Sequence, residues 1–373
     1  MLLAAGANKD AARNDGATLM YVAAQSGHAE IPKMLLEAGA NTDPAANGGF
    51  TPMYIAAQQG QVEVLKMVLA AGANKDAADN DCVTPMVMAA QNGHAEVLKM
   101  LLAAAANKDA ADNHGDTPMI MAARQGHAQV LKMLLAAGAN KDAATNGGFT
   151  PMHIAAQQGH VEVLKMFLAA GANKDAADND CVTPMVMAAQ NGHAEVLKML
   201  LAAAANKDAA DNHGDTPMIM AARQGHAQVL KMLLAAGANK DAATNGGFTP
   251  MHIAAQNGHA EVLKMLLTAE TNIDAAANGG FTPMYIAAQK GHIEVLKMFL
   301  AAGANKDAAR NDGFTPMMIA AQKGHVEVLK MLLADGDNKD AANKNGATPM
   351  IMAAANGHAE VLKMLLAEGA NKD

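Results

Sequence analysis

A Thr ahead of Pro-Met falls at Thr51, Thr84, Thr117, Thr150, Thr183, Thr216, Thr249, Thr282, Thr315 and Thr348, always 33 residues apart. Thr18 continues the series, with Leu19 in the place of Pro. A period of this length leaves few choices. Each unit is a single supersecondary element that cannot bury its apolar side alone, and only stacking supplies a core. The count gives a partial unit, 1–10, and eleven 33-residue units over 11–373, read as one continuous array. Residues 69–157 recur letter for letter at 168–256, a displacement of 99, so three units were copied in register. An active site needs one copy of a special arrangement, and verbatim repetition leans away from catalysis.

Residues 77–109 show what one unit becomes. Asn80, Asp81 and Cys82 carry turn chemistry. Thr84 is an N-cap, and Pro85 suits the first helical position, where its missing N–H costs nothing. Met86, Met88, Ala89 and Ala90 continue a short helix, which Gly93-His94 breaks. A second helix runs from about Ala95 to Ala104 with Val97, Leu98, Leu101 and Leu102 on one face. Ala106-Asn107-Lys108-Asp109 then opens the next turn. Helices this short are marginal alone because nucleation is costly. The predicted fold is all-α, a solenoid of stacked helix-turn-helix units with projecting turns.

Composition removes several function classes. Apolar residues make up 51%, mainly Ala, Leu and Met, while aromatics are 3% and Trp is absent, so the core is thin. With a net charge of −8 and no cluster of Lys and Arg, the chain lacks the counterion-displacing surface that nucleic acid requires. No apolar run reaches the ~18 residues of a membrane span, so direct membrane insertion is not expected. The start, MLLAAGANKD, has no basic n-region of a secretory signal. Cys82 and Cys181 make no disulfide framework, and an intracellular, cytoplasmic setting is expected.

Thr150-Pro151-Met152-His153-Ile154-Ala155-Ala156, followed by Gly159-His160-Val161-Glu162-Val163-Leu164, resembles the ankyrin repeat, and the resemblance covers essentially the whole chain. It implies a curved array that binds other proteins through its turn tips and the concave face of its first helices. The departures are informative. Met stands where the family usually has Leu after Pro. The motif His is kept at His153 and His252 and is replaced elsewhere, as by Tyr54, Val87, Ile120, Tyr285 and Met318. In the family that His ties neighbouring turns, so its loss predicts cohesion by apolar packing and looser loops. Ala105, Ala204 and Glu270 replace the Gly that ends the second helix, and Cys82 and Cys181 replace a turn Gly. If these positions are left-handed, each Cβ costs about 1–2 kcal/mol.

Candidate chemistry reduces to structure. Ten histidines follow Gly once per unit: His28, His94, His127, His160, His193, His226, His259, His292, His325 and His358. Adjacent ones are then separated by a helix-packing distance of roughly 8–10 Å, whereas zinc draws its ligand atoms to ~2 Å. His153 with His160, and His252 with His259, share units but have no third ligand. The cysteines are 99 residues apart and cannot pair with each other, and no base or orienting group marks either as a nucleophile. The methionines, 29 in all, fall at core spacing. Recurrent Glu96–Lys99 pairs read as a solvated outer face, and Asn47-Gly48-Gly49 lacks the Lys-Ser/Thr of a phosphate loop. No cofactor is implied.

The resemblance places a partner against the residues before Thr and those late in the first helix. Phe50, Phe149, Phe248, Phe281 and Phe314 occupy the first position, and the last three fall in successive units as a candidate apolar stripe. The competing reading has each Phe packing sideways on the neighbouring turn. Gln289, Lys290, Gln322 and Lys323 lie beside the trio, and His114, Asp116 and Arg124 hold corresponding places in an earlier unit. The sequence therefore predicts a non-catalytic scaffold for another protein. The alternative is a structural or end-to-end self-associating solenoid, or a section of a larger assembly protein. Met1 in phase with mid-helix Met34, Leu19 and Pro32 in a degenerate first unit, and the ordinary apolar pattern Val361, Leu362, Leu365, Leu366 in the last motivate that alternative.

Overall fold

A computed structural model describes residues 8–371. The leader's residues 1–7, with the Met1 phasing argument, lie outside the described residues, as do residues 372–373. The chain separates into two compact units, Met1–Asn179 and Asp180–Asp373. Among the described residues the first carries ten helices, from Leu19–Ser26 to Val161–Ala169, and the second twelve, from Pro184–Asn191 to Ala359–Ala367. The only β pairing among them is an isolated bridge between Ala12 and Thr18.

Each repeat forms as its punctuation dictates. In the repeat that begins at Ala77, Thr84 is extended (φ −93°, ψ 163°), and its hydroxyl accepts the Val87 N–H that the helix Pro85–Gln91 leaves orphaned. The second helix is Ala95–Ala103. Helices of seven and nine residues fall short of the ~12–15 residues at which an isolated helix becomes even marginal. Packing supplies the difference. Met86, Val87, Ala89 and Ala90 from the first helix and Val97, Leu98 and Leu101 from the second are all but inaccessible. Burying one such Leu or Val side chain contributes ~1.5–3 kcal/mol. Within each unit, first helices stack on first helices and second on second, as Pro85–Gln91 does on Pro118–Gln125 and Ala95–Ala103 on Ala128–Ala136. The paired alanines Ala89-Ala90 and Ala122-Ala123, fully buried, let the backbones approach.

The Gly-His residues form the joint between repeats. The His94 Nε2–H donates to the Gln58 carbonyl at 3.0 Å, His127 to that of Gln91 at 3.0 Å, and His325 to that of Gln289 at 3.1 Å. Each imidazole lies against the glycine of the repeat before it: a Cβ added to Gly93 would meet the His127 ring at 2.8 Å. Glycine is thus required twice there, for its left-handed φ of 74° and for the space. The histidine ladder is structural, and among the described residues no group of three His, Cys, Asp or Glu side chains is placed to hold a metal ion.

Two more ladders join the turns. Asp76 accepts the Asn107 amide at 2.7 Å and Asp109 that of Asn140 at 2.7 Å, so the Asn-Lys-Asp turns do stack. At the tips, the Asn113 amide donates to Asp81 O at 3.0 Å and the Asn146 amide to His114 O at 2.9 Å. The first of these repeats has Val87 in place of the motif His and the second has Ile120, so the tip-to-tip bonds persist without it. Where the His is kept it adds a cap and a tie. The Thr249 amide donates to His252 Nδ1 at 3.1 Å, and the His252 Nε2–H donates to Phe281 O at 2.9 Å. Burial holds the His252 pKa below its ordinary value, partly opposed by its bond to Phe281 O. The left-handed assignments hold: φ is 62° at Cys82, 54° at Ala105, 61° at Cys181, 55° at Ala204 and 55° at Glu270.

Candidate partner-binding surface

The hairpin tip sets each Phe. In the repeat that begins at Ala143, the Phe149 amide donates to Thr145 Oγ1 (3.1 Å), and Gly148 at φ 84° closes the turn. The ring then sits half-exposed just ahead of the Thr150 cap. Phe50, Phe248, Phe281 and Phe314 are likewise half-exposed, so none is surrendered to the core as Phe167 and Phe299 are. Each of the first four rings also leans on its own repeat. Phe50 lies 5.1 Å from Tyr54, Phe149 6.0 Å from His153, Phe248 5.7 Å from His252 and Phe281 5.6 Å from Tyr285, by ring centroids. Inward packing and an outward ring edge coexist at the same residue.

The expected stripe of three is broken in the middle. Phe248 and Phe281 are in ring contact at 6.4 Å. Between Phe281 and Phe314 lies Arg310, whose guanidinium is 4.3 Å from the Phe281 centroid and 5.8 Å from that of Phe314. Arg310 also donates to the Tyr285 hydroxyl at 3.2 Å and pairs with Asp312 at 3.0 Å. Burial raises the Tyr285 pKa, and Arg310 pulls against that rise. The patch is therefore aromatic and cationic. The sequence carried one signal for Arg310. Its place holds Asp79 and Asp112 in other repeats, where the carboxylate takes the amides of Val83 (2.9 Å) and Asp116 (2.8 Å) to close the turn. An Arg cannot accept those bonds and turns to the rings instead. Lys290 and Lys323 are exposed at the ends of the first helices Pro283–Lys290 and Pro316–Lys323. Gln289 and Gln322 are half-buried, and their carbonyls accept the His325 and His358 joints.

His114, Asp116 and Arg124 fare differently from one another. His114 is exposed at a tip. Asp116 was expected at the tip surface and is instead buried, because Arg124 takes both its oxygens, at 2.8 and 3.0 Å. A bidentate pair fixes the guanidinium plane and leaves Arg124 one-third exposed above a neutralised carboxylate. Asp215 and Arg223 repeat this at 2.6 and 2.7 Å. There the pair floors an open groove of about 460 Å³ lined by His213, Asn245, Phe248, Ile253 and Gln256, among others. No helix among the described residues is long and apolar enough to cross a membrane.

These features define an all-α repeat protein that presents side chains differing from repeat to repeat at its hairpin tips and first-helix ends. A family model for ankyrin repeats, written as three copies, matches residues 1–79, 86–178, 153–244, 239–310 and 300–373. The chain belongs to the ankyrin repeat family, whose members are generally protein–protein interaction modules and generally non-catalytic. The crystal structure of the human ASB11 ankyrin repeat domain is similar at 30% sequence identity and a TM-score of 0.55, over 60% of this chain and 100% of that one. No curated protein sequence matches the chain.

Proposed function

We propose that the chain is a non-catalytic scaffold that grips one partner protein through its hairpin tips and first-helix ends. The reading treats 1–373 as one array, supported by a repeat phase that never slips. The observation that carries it is the surface of Phe248, Phe281, Arg310 and Phe314, with Lys290 and Lys323 nearby: aromatic rings kept half-exposed beside cations in a chain with 3% aromatics. Desolvating a ring and an Arg together is what interface anchors do. The test is capture from a native extract by the wild-type chain and by a Phe281→Ala, Phe314→Ala, Lys290→Glu variant. Loss of a specific band supports the face, and an unchanged set of bands removes it. An intracellular, cytoplasmic setting belongs to the same proposal and is supported by two free, exposed thiols, Cys82 and Cys181.

A specific observation favours the second reading, self-association. Leu19, Ile31 and Met34 in the first repeat and Ile351 and Leu366 in the last are exposed, Ile351 at 51%, while its counterparts Ile120 and Ile219 are fully buried. Scattering over a concentration series separates the two. Growth in mass with concentration supports assembly, and a constant monomer supports the scaffold.

A further inference from the structure

The verbatim copy of residues 69–157 at 168–256 ends at Gln157 and Gln256, and Gln256 is the last residue lining the groove at Phe248. Every lining residue of that groove therefore has an identical twin: His114 for His213, Asp116 for Asp215, Arg124 for Arg223, Phe149 for Phe248 and Ile154 for Ile253. The contacts are copied with the letters. Both Asp–Arg pairs are bidentate. Phe149 and Phe248 each stand edge-on to a motif His, at interplanar angles of 84° and 78°. The His160 and His259 side chains donate to the carbonyls of Arg124 and Arg223 at 3.2 and 3.1 Å, locking both arginine-bearing helix ends. One copy lies wholly in the unit Met1–Asn179 and the other wholly in Asp180–Asp373.

The walls select the occupant. Because the buried carboxylate already neutralises each guanidinium, a phosphate or carboxylate ligand would have to compete with Asp116 or Asp215 for the same donors. What remains is a guanidinium fixed by its carboxylate in a groove that Phe248 and Ile253 also line. Arg favours contact with an aromatic ring face, as Arg310 makes over Phe281 at 4.3 Å. A cavity of about 460 Å³ is within the range that encloses a side chain and its flanking backbone. The tip residues Asn146 and Asn245 supply polar atoms at the rim.

Resting on the scaffold reading above, we infer that the chain holds two equivalent grooves, each taking an aromatic side chain of an extended segment, so that it binds two copies of one partner motif. The surroundings of the copies are not identical: Phe281 is in ring contact with Phe248, whereas the residue 33 positions after Phe149 in the sequence is Val182. The groove at Phe248 is accordingly the tighter.

The experiment uses the full chain with methyl-labelled Ile, titrated with N-acetyl-L-tyrosine amide. The expected result is that the Ile154 and Ile253 methyl signals shift and saturate in the roughly millimolar range of a fragment-sized ligand, Ile253 first. Phe149→Ala is expected to silence Ile154 alone, and Phe248→Ala to silence Ile253 alone. Arg124→Lys keeps the charge opposite Asp116 but removes the flat face, and it is expected to weaken the Ile154 response in a folded chain. Shifts at neither residue, at only one, or spread equally over Ile120 and Ile219 overturn the inference. If the probe fails while the Phe281 and Lys290 variant still loses its captured partner, the scaffold reading stands and the paired grooves fall.

Discussion

Replacing Cys82 with Gly isolates the cost of a side chain in the wrong backbone region. Cys82 is held at φ 62°, where an L-residue costs ~1–2 kcal/mol over glycine. Glycine surrenders ~0.5–1 kcal/mol of that through the entropy of the unfolded chain. The dihedral alone then leaves a gain of ~0.5–1 kcal/mol. Space adds to it. At Gly115, the same place one repeat on, a Cβ would lie 2.7 Å from Asn146 N and 2.9 Å from Thr145 Cα, both backbone atoms that cannot swing aside. At Gly138, the counterpart of Ala105, a Cβ would meet nothing within 4 Å. Cys82→Gly should therefore stabilise by ~1–2 kcal/mol and Ala105→Gly by only ~0.5–1 kcal/mol. Because a stacked array opens locally, amide exchange at Asn113, whose N–H bonds Asp81 O, is the sharper assay beside a urea midpoint. A gain of ~1 kcal/mol slows that exchange by about fivefold. Cys181→Gly should give the same increment independently, since its surroundings are copied and 99 residues away. An unmoved Asn113 rate, or a larger gain from Ala105→Gly than from Cys82→Gly, would refute the reasoning.

Three further outcomes are expected. Burial pushes the Asp337 carboxyl up to about 8, with the neighbouring Asp307 adding to the rise, and Asp307 is itself held below its ordinary value by Asp337. The stability tied to a raised carboxyl is present below the unfolded value near 4 and is lost as pH climbs toward about 8. Asp337→Ala, which restores the residue found at Ala304 and Ala238, should thus stabilise more at pH 8 than at pH 4 by thermal melts at the two values. His127→Ala removes the donor to Gln91 O and should cost ~1 kcal/mol by urea unfolding, with faster exchange confined to the flanking repeats. Arg310→Ala removes the cation beside Tyr285, and an ultraviolet titration in a Tyr21→Phe, Tyr54→Phe background should find that phenol ionising at still higher pH.

The repeat, its helix limits and its left-handed sites could be read from the letters because local chemistry fixes them. A Thr-Pro start and a Gly-His stop bound all but the first two of the first helices, which have Leu19 for Pro and Gln61 for His, and a non-glycine in a glycine column announces its own strain. The surface was less legible, because period alone does not say where a long side chain turns. Asp116 and Arg124 are eight apart, a spacing with no helical meaning, yet they occur together only where Asp215 and Arg223 repeat them. That co-occurrence was the available sign of the buried pair. Arg310 could be suspected from the Asp it displaces, and Asp337 from standing in a column of alanines. Neither substitution reveals its partner until the neighbouring hairpins are stacked.

The histidine joint carries a consequence for how such a chain can change. His94, His127, His259 and His325 all grip a main-chain oxygen, that of Gln58, Gln91, Arg223 and Gln289, without calling on the side chain of that residue. A carbonyl is the same in every amino acid, so the fastening is blind to what is displayed one bond away. Swapping Gln for Arg at that site re-dresses the outside of the molecule without loosening the hinge pin. Whole blocks can then be copied and spliced, as three were here, while the residue displayed at that site changes freely.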